Sequence, residues 1–266
     1  MLTDEELARY HDEGFIIPDY RLSNTTLAKI RSMHSQFIER YPVFSDYCPA
    51  LLPLEPRFLE IAQDEIILDM VGQILGENFA LWNSSFFAKP AKVGSRTPWH
   101  QDGKYWAMRP LATCTVWMAI DDATSRNGCL RVIPGSHRER SLRHHEVNNT
   151  PGLALNEELA PKEFEESDAV DMVMEAGQMS LHDVYLVHGS EPNGSDQSRR
   201  GMTLRFMPTT SFYDREIEEE RNASDPYPGI DAAELKKIHR PPLYLMRGVD
   251  VCGRNSFEGR FSLSKD

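Results

Sequence analysis

Residues 180–208 read SLHDVYLVHGSEPNGSDQSRRGMTLRFMP. The short apolar runs in and around this segment lie at 178–182, 184–188 and 201–208. Short runs of this kind, bounded by turn residues such as Gly, Asn and Ser, are typical of β-strands. The segment therefore predicts a β fold, in which one strand ends at His188 and another begins just after the basic pair Arg199 and Arg200.

The same pattern extends upstream as far as Gly76. Further strand-like runs lie at 79–89, 96–102, 112–120, 128–133 and 170–175. Eight strands within about 130 residues predict a mainly β protein with a double-stranded β-helix core of the jelly-roll or cupin-like kind. A polar insertion at 136–169 interrupts the strands, and a long insertion of this kind is more often a lid or binding loop than core.

Helical patterns flank the predicted strands. Thr3 and Glu6 form a capping box at the start of the chain. Further helices are predicted at 22–41, 57–76 (one helix or two), 214–222 and 231–238. We expect a single domain over 1–266, with a mainly helical support at 1–76, the core at 79–208 and a helical or irregular tail at 209–266.

Composition restricts the function classes. The chain has 266 residues, 40% of them hydrophobic, and a net charge of -12, so nucleic acid and anionic membranes are unfavourable partners. The four cysteines, which are Cys48, Cys114, Cys129 and Cys252, form no C-x-x-C motif, which favours free thiols in a reducing compartment. The polar N-terminus and the absence of a long apolar run predict a cytoplasmic protein. A monomer and a homodimer are both open.

The sequence WHQDG at 99–103 offers a possible pair of metal ligands. Side chains at i and i+2 of a strand point the same way, so His100 and Asp102 could reach one ion. A mononuclear non-haem iron(II) oxygenase needs two imidazoles and one carboxylate on one face of an octahedron. The pair would supply two of these three ligands.

Two similar pairs occur in the same chain. His137 and Glu139, and His144 and Glu146, repeat the His-x-acid spacing with the longer carboxylate. Both lie in the polar insertion, and a mobile loop makes a poor rigid metal site. We therefore expect neither of these pairs to be a ligand pair.

A third ligand and an anion anchor follow downstream. His188 ends an apolar run, and Arg199 lies eleven residues later. A keto-acid co-substrate needs a cation at its far carboxylate, and arginine provides it by bidentate pairing. His182 is an alternative ligand, although the Gly-Ser and the correctly spaced Arg follow His188 instead, and Arg200 is an alternative anchor.

On these residues the chain resembles the phytanoyl-CoA dioxygenase family of iron(II)/2-oxoglutarate oxygenases. The resemblance rests on WHQDG, TVWMAIDDATSRNGCLRVIPGSH, LVHGSEPNGSDQSRRG and LRFMPT, in this order, and covers roughly 80–210. The stretch PPLYLMRGVDVCGRN is similar to the end of bacterial small-molecule hydroxylases. The family's cofactors would be Fe(II), 2-oxoglutarate as co-substrate, and O2.

The resemblance also implies roles for individual residues. The implied iron ligands are His100, Asp102 and His188. The implied co-substrate contacts are Arg199, Ser190, Trp117 and Lys89. Related halogenases carry a small residue at the position of Asp102, so a carboxylate there implies hydroxylation, with desaturation or a further oxidation as the alternatives. A plain core role for Trp117 and a turn-capping role for Ser190 are the alternatives.

Alternation along the strand after Arg199 separates two faces. Arg199, Thr203 and Arg205 share one face, while Arg200, Leu204 and Phe206 share the other. If Arg199 points inward, Arg205 could bind an anionic substrate group, or it could form a salt bridge at the mouth of the barrel.

The remaining candidate substrate contacts are Lys104, Tyr105, Trp106 and His182. The first three follow the predicted ligands and are expected at the mouth of the site, where ordinary rim packing is the alternative. Arg205 and the basic stretch HRERSLRHH favour a small polar or anionic metabolite, and a large acyl-thioester is the alternative. The predicted function is hydroxylation of an unactivated C–H bond with decarboxylation of 2-oxoglutarate to succinate and CO2. The alternatives are a cupin-like metal enzyme without 2-oxoglutarate and a non-catalytic metal- or ligand-binding sensor.

Overall fold

A computed structural model describes residues 1–150, 153–222 and 227–258. Its helices are α1 (Asp4–Glu13), α2 (Asn24–Arg40), α3 (Glu65–Leu75), α4 (Arg215–Asn222) and α5 (Ala232–His239). Its strands are β1 (Phe15–Ile16), β2 (Tyr47–Cys48), β3 (Phe79–Phe87), β4 (Thr97–Gln101), β5 (Met108–Arg109), β6 (Cys114–Ala119), β7 (Leu130–Val132), β8 (His145–Val147), β9 (Glu157–Leu159), β10 (Val170–Met172), β11 (Met179–Asp183), β12 (Val187–Ser190), β13 (Gly201–Pro208), β14 (Phe212–Tyr213) and β15 (Tyr244–Arg247).

Two antiparallel sheets form the core of the described chain. The larger sheet has the strand order β1-β11-β6-β13-β3-β15, with β2 also paired to β3, and the smaller has the order β10-β7-β12-β4. Neighbouring strands are mostly distant in sequence, as expected for a double-stranded β-helix of the jelly-roll or cupin-like kind. Side chains from both sheets line one cavity, so the fold brings residues from distant strands to one site.

The N-terminal helices support the larger sheet from its outer face. Leu27, Ile30 and Phe37 of α2 are buried in one apolar cluster with Leu204 and Phe206 of β13. Burying each such side chain contributes about 1.5–3 kcal/mol. Because Leu204 and Phe206 face the helices, the alternate residues of β13 face the cavity.

The predicted elements are confirmed with shifted ends. α1 begins after Thr3 with the predicted capping box, and 57–76 forms a 3-10 helix (Pro56–Gln63) followed by α3. The strand predicted at 184–188 begins only at Val187, because the backbone carbonyl of Asp183 accepts a hydrogen bond from the Leu186 N–H and closes a turn. Asp102, predicted to end a strand, instead begins the 3-10 turn Asp102–Lys104.

Other features of the fold bear on the predicted class of protein. Strand β15 pairs with β3, although the sequence predicts only an irregular Pro-rich end there. All four cysteines carry free thiols, as predicted. Within the described residues, each helix is too short or too polar to cross a lipid bilayer.

Candidate active site

The predicted ligands come together at the edge of the smaller sheet. His100 on β4 and His188 on β12 are directly paired across the two strands, and their ring centroids are 4.1 Å apart. The Oδ1 atom of Asp102 lies 3.5 Å from Nε2 of His100 and 3.8 Å from Nε2 of His188. One ligand atom from each of the three residues lies within 4.8 Å of the others, and all three residues are buried.

Backbone carbonyls orient both imidazole rings. Nδ1 of His100 lies 2.8 Å from the carbonyl oxygen of Pro98, and Nδ1 of His188 lies 2.9 Å from that of Leu186. A ring that donates its Nδ1–H to a carbonyl presents the lone pair of Nε2, which is the usual arrangement of histidine ligands to metals. Both Nε2 atoms face the carboxylate of Asp102, so the three groups converge.

The electrostatics of the cluster favour the protonation states that bind a metal. Burial alone would raise the pKa of Asp102, but hydrogen bonds with His100 and His182 and the charge of Arg205 hold that pKa well below its usual value. Burial and the neighbouring His100 lower the pKa of His188 well below its usual value. A neutral imidazole and an ionised carboxylate are the forms that coordinate metal ions.

His182, the alternative ligand, lies across the cavity on β11. Its Nε2 atom is 3.6 Å from Oδ2 of Asp102, whereas His100 and His188 approach Oδ1. The Thr115 hydroxyl is 3.4 Å from the same oxygen. His182 lines the cavity, and the three-residue group within 4.8 Å does not include it.

The two similar His-x-acid pairs lie elsewhere. Nε2 of His137 is 3.0 Å from the carbonyl oxygen of His11, and the ring packs against Gly14. His144 and Glu146 face solvent with side chains 61% and 62% exposed. Neither pair joins a group of three ligands among the described residues.

Arg199 lies in the same cavity as His100, Asp102 and His188. Its guanidinium donates hydrogen bonds to the carbonyl oxygens of Phe87 at 3.1 Å and Gly128 at 2.8 Å. It lies over the ring of Trp117 at 5.3 Å. Its Nε is buried without a partner, and no carboxylate forms an ion pair with it in the part of the chain that the structure describes. Burial lowers the pKa of Arg199 to about 10, so it is charged at neutral pH.

Arg200 points the other way. It binds Asp121 through two hydrogen bonds from Nε and Nη2, at 2.7 and 2.8 Å. The alternative anchor is therefore already neutralised by a bidentate ion pair. Of the two neighbouring arginines, only Arg199 lines the cavity.

The other residues predicted near the co-substrate have different positions. Ser190 and Trp117 line the cavity with Arg199. Gly201 is next to Trp117, and a Cβ there would collide with the indole ring. The ammonium group of Lys89 is 3.4 Å from the carbonyl oxygen of Ser190 and also donates to that of Glu191, and Lys89 is not among the lining residues.

Sequence reasoning missed part of the cavity wall. The additional lining residues are Phe87, Thr97, Thr115 and Leu130. Thr115 is two positions before Trp117 on β6, so strand alternation could have identified it. We call the space that these residues line the inner cavity. Its other lining residues are His100, Asp102, Trp117, His182, His188, Ser190, Arg199, Thr203 and Arg205.

Arg205 shares the inward face of β13 with Thr203, as the alternation predicts. Its Nη1 donates to Oδ1 of Asn83 at 2.8 Å and to the hydroxyl of Ser85. The guanidinium also lies 5.3 Å from the ring centroid of Trp106. Asn83 and Ser85 alternate on β3, a polar pair in WNSSFF that sequence reasoning also missed.

A larger space opens outside the inner cavity. It has a volume of about 910 Å³, and its wall includes Lys104, Tyr105, Trp106 and Arg205. Other parts of its wall come from the insertion, at 147–150 and 153–157, and from Tyr47, Trp82 and Glu218. We call this space the outer chamber. His100 and Asp102 border both spaces, so the chamber leads to the converging ligands.

Comparison with known proteins agrees with this geometry. The family model described as phytanoyl-CoA dioxygenase (PhyH) matches residues 2–201. The chain belongs to the phytanoyl-CoA dioxygenase family. A Dictyostelium discoideum phytanoyl-CoA dioxygenase domain-containing protein 1 homolog is 35% identical over 160 residues, which is 59% of this chain and 57% of that protein. The match thus spans little more than half the length of this curated relative.

Solved structures share the fold. The apo structure of ThoJ, described as a non-heme monooxygenase, has a TM-score of 0.69 at 24% identity and covers 96% of this chain and 88% of its own. EvdO2 from Micromonospora carbonacea var. aurantiaca, complexed with 2-oxoglutarate, has a TM-score of 0.69 at 21% identity, covering 86% of this chain and 96% of its own. At these identities the likeness establishes the jelly-roll fold.

The inner cavity fits the cofactors that the phytanoyl-CoA dioxygenase family implies. Two imidazoles and one carboxylate, converging and buried, are the donor set of a non-haem iron(II) site with open positions. A buried guanidinium without a carboxylate partner, in the same cavity, fits the far carboxylate of 2-oxoglutarate. Both observations concern residues of this chain and do not depend on the relatives.

Proposed function

We propose that the protein is an iron(II)- and 2-oxoglutarate-dependent oxygenase that hydroxylates an unactivated C–H bond of a small polar or anionic metabolite. One substrate, one 2-oxoglutarate and one O2 would give the hydroxylated product, succinate and CO2. His100, Asp102 and His188 would hold the iron. Arg199 would bind the distal carboxylate of 2-oxoglutarate.

The proposal rests on one observation: the same cavity contains three side chains that could bind a metal and a buried arginine that has no anionic partner among the described residues. The three converging side chains leave coordination positions open, and the buried Arg199 lacks an anionic partner among the described residues. A buried charge without a counter-ion is costly. A dianion that can meet a metal at one end and Arg199 at the other satisfies both groups.

The residues of this chain would bind, orient and exclude water. Iron bound with 2-oxoglutarate supplies the oxidative chemistry, in which O2 decarboxylates the co-substrate and the substrate C–H bond is oxidised. Arg199 would fix the position of 2-oxoglutarate by two-point contact, and Trp117 and Leu130 would supply apolar wall that keeps water out. The Asp102 carboxylate favours hydroxylation over halogenation, which needs a small residue at this position.

The test is iron-dependent conversion of 2-oxoglutarate to succinate by the purified protein, with a panel of candidate metabolites to stimulate it. The proposal predicts succinate formation that requires both iron and O2 and that rises with a suitable metabolite. Iron-loaded protein that forms no succinate with any metabolite would contradict it. Metabolite oxidation without 2-oxoglutarate would instead support a cupin-like enzyme of another type, and metal binding without turnover would support a sensor.

A further inference from the structure

The second arginine of the inner cavity has a binding edge that the protein does not use. Arg205 is 6% exposed, and it borders both the inner cavity and the outer chamber. Only its Nη1 atom has hydrogen bonds, to the neutral groups of Asn83 and Ser85. Nε is buried without a partner, so within the described residues the edge formed by Nε and Nη2 is not bound to the protein.

No carboxylate of the described chain forms an ion pair with Arg205. Asp102, the acidic residue of the inner cavity, interacts with it electrostatically, but its close contacts are with His100, His182 and His188. In the outer chamber, Glu157 pairs with Lys104 at 3.4 Å. The guanidinium is held in place by Asn83, Ser85 and the aromatic ring of Trp106. None of these groups neutralises its positive charge.

The charges of the loaded cavity do not cancel. The proposed function places there a divalent ion, the ionised Asp102, the dianion 2-oxoglutarate and two arginines, and a histidine that coordinates a metal is neutral. One positive charge remains. Lys89, behind Arg199, does not reduce this excess: burial and the charge of Arg199 lower the pKa of Lys89 to about 6, so it is mostly neutral at pH 7.

We propose that Arg205 binds a carboxylate of the substrate through its Nε and Nη2 edge, so that the substrate is an organic acid with one anionic group next to the oxidised carbon. This inference rests on the proposed function. A planar carboxylate matches a guanidinium edge by two parallel hydrogen bonds, and a single negative charge balances the cavity. The rest of the molecule would lie in the outer chamber, among amide and aromatic side chains such as Asn148, Asn156 and Tyr105.

The test measures binding of matched probe pairs to protein loaded with Ni²⁺ and 2-oxoglutarate, which resembles the working complex but does not turn over. The probes are monocarboxylic acids of varied skeleton, each paired with its primary amide, which has nearly the same shape without the charge. Acids that bind should have a Kd at least about tenfold lower than their amides, because hydrogen bonds to charged groups are strong. In Arg205→Met this ratio should fall to within about twofold, and Arg205→Lys should retain part of it.

Two controls separate a substrate site from other roles of Arg205. The Kd of 2-oxoglutarate should change by less than about threefold in Arg205→Met, but by about 100-fold in Arg199→Met. If the acids bind the wild-type protein no more tightly than their amides, the inference is overturned. This result does not depend on whether the variants fold. Loss of 2-oxoglutarate binding in Arg205→Met would also overturn it, because Arg205 would then serve the co-substrate. Succinate formation by the iron-loaded wild type without any probe tests the proposed oxygenase separately.

Discussion

The inner cavity and the outer chamber meet at Arg205 but are built in different ways. The inner cavity is lined from β3, β4, β6, β7, β11, β12 and β13, and backbone carbonyls orient His100 and His188. The wall of the outer chamber comes largely from the insertion and from segments outside the sheets. Rigid strands suit chemistry that requires fixed geometry, whereas loops can vary without altering the scaffold. The inner cavity would therefore determine the reaction, and the outer chamber the substrate.

The sharpest contrast within this comparison is between two histidines. His188→Ala removes a proposed ligand, so iron affinity and succinate formation should fall by more than about 100-fold, since loss of a residue that only orients a ligand can already cost 10–100-fold. His144→Ala is the matched control, because His144 has the same His-x-acid spacing but is exposed in the insertion. Metal binding by equilibrium dialysis and a succinate assay measure both effects. Equal effects of the two substitutions would contradict the assignment.

The neighbouring arginines allow a second contrast. Arg199→Ala should raise the Kd of 2-oxoglutarate about 100-fold while metal still binds, because it removes the cation for the distal carboxylate. Arg200→Ala removes the bidentate partner of Asp121 and leaves it the ion pair with Arg31 at 3.3 Å, so it should lower stability by about 1–3 kcal/mol with little change in the Kd. Calorimetric titration and urea unfolding measure the two effects. A large rise in Kd for Arg200→Ala alone would reverse the assignment.

The contact between Gly201 and Trp117 tests how closely the inner wall is packed. Gly201→Ala would push a Cβ into the indole ring, and overpacking of this kind costs about 1–3 kcal/mol. The displaced ring lies under Arg199, so the Kd of 2-oxoglutarate should also rise. Gly194→Ala is the control, because the nearest atom to its Cβ would be the Arg126 carbonyl oxygen at 3.9 Å. Similar stabilities of the two variants would show that the wall is looser than described.

The smallest expected effect concerns the β8–β9 hairpin. Glu158 on β9 binds Arg96 through two contacts at 2.7 and 2.9 Å. Burial opposes ionisation of Glu158, but the bonds from Arg96 and Asn148 prevail and lower its pKa below the usual 4.5. The ionised Glu158 therefore stabilises the folded state. This contribution should be complete above pH 4.5 and lost as the pH falls below it. Arg96→Gln should cost about 1 kcal/mol or less at pH 7.

Hydrogen exchange of residues 145–159 measures this effect. Exchange in Arg96→Gln should be faster than in the wild type at pH 7, and the difference should shrink as the pH falls below 4.5. The Kd of 2-oxoglutarate should not change, because the contact lies outside the inner cavity. A pH-independent difference would mean that the ion pair does not hold the hairpin.

Much of the framework was predictable because long strands carry strong patterns. The alternation of Arg199, Thr203 and Arg205 against Leu204 and Phe206 follows from the two-residue period of a strand, and the structure has that arrangement. The two-residue strands β1 and β2 are too short to show alternation. β15 follows two prolines, which predict irregular chain.

Side-chain directions off the strands were not predictable. Lys89 has a positive φ of 30°, and this conformation turns its ammonium towards two carbonyl groups rather than into the cavity. The pairing of Arg200 with Asp121 joins residues 79 positions apart. Neither the backbone angle nor the distant contact leaves a local pattern in the sequence.

The most direct test of the central claim is an anaerobic crystal structure of the protein with iron(II) and 2-oxoglutarate. We expect an ion bound by His100, Asp102 and His188, with the distal carboxylate of 2-oxoglutarate paired to Arg199. An ion bound through His182 in place of His188, or a distal carboxylate paired to Arg205, would contradict it.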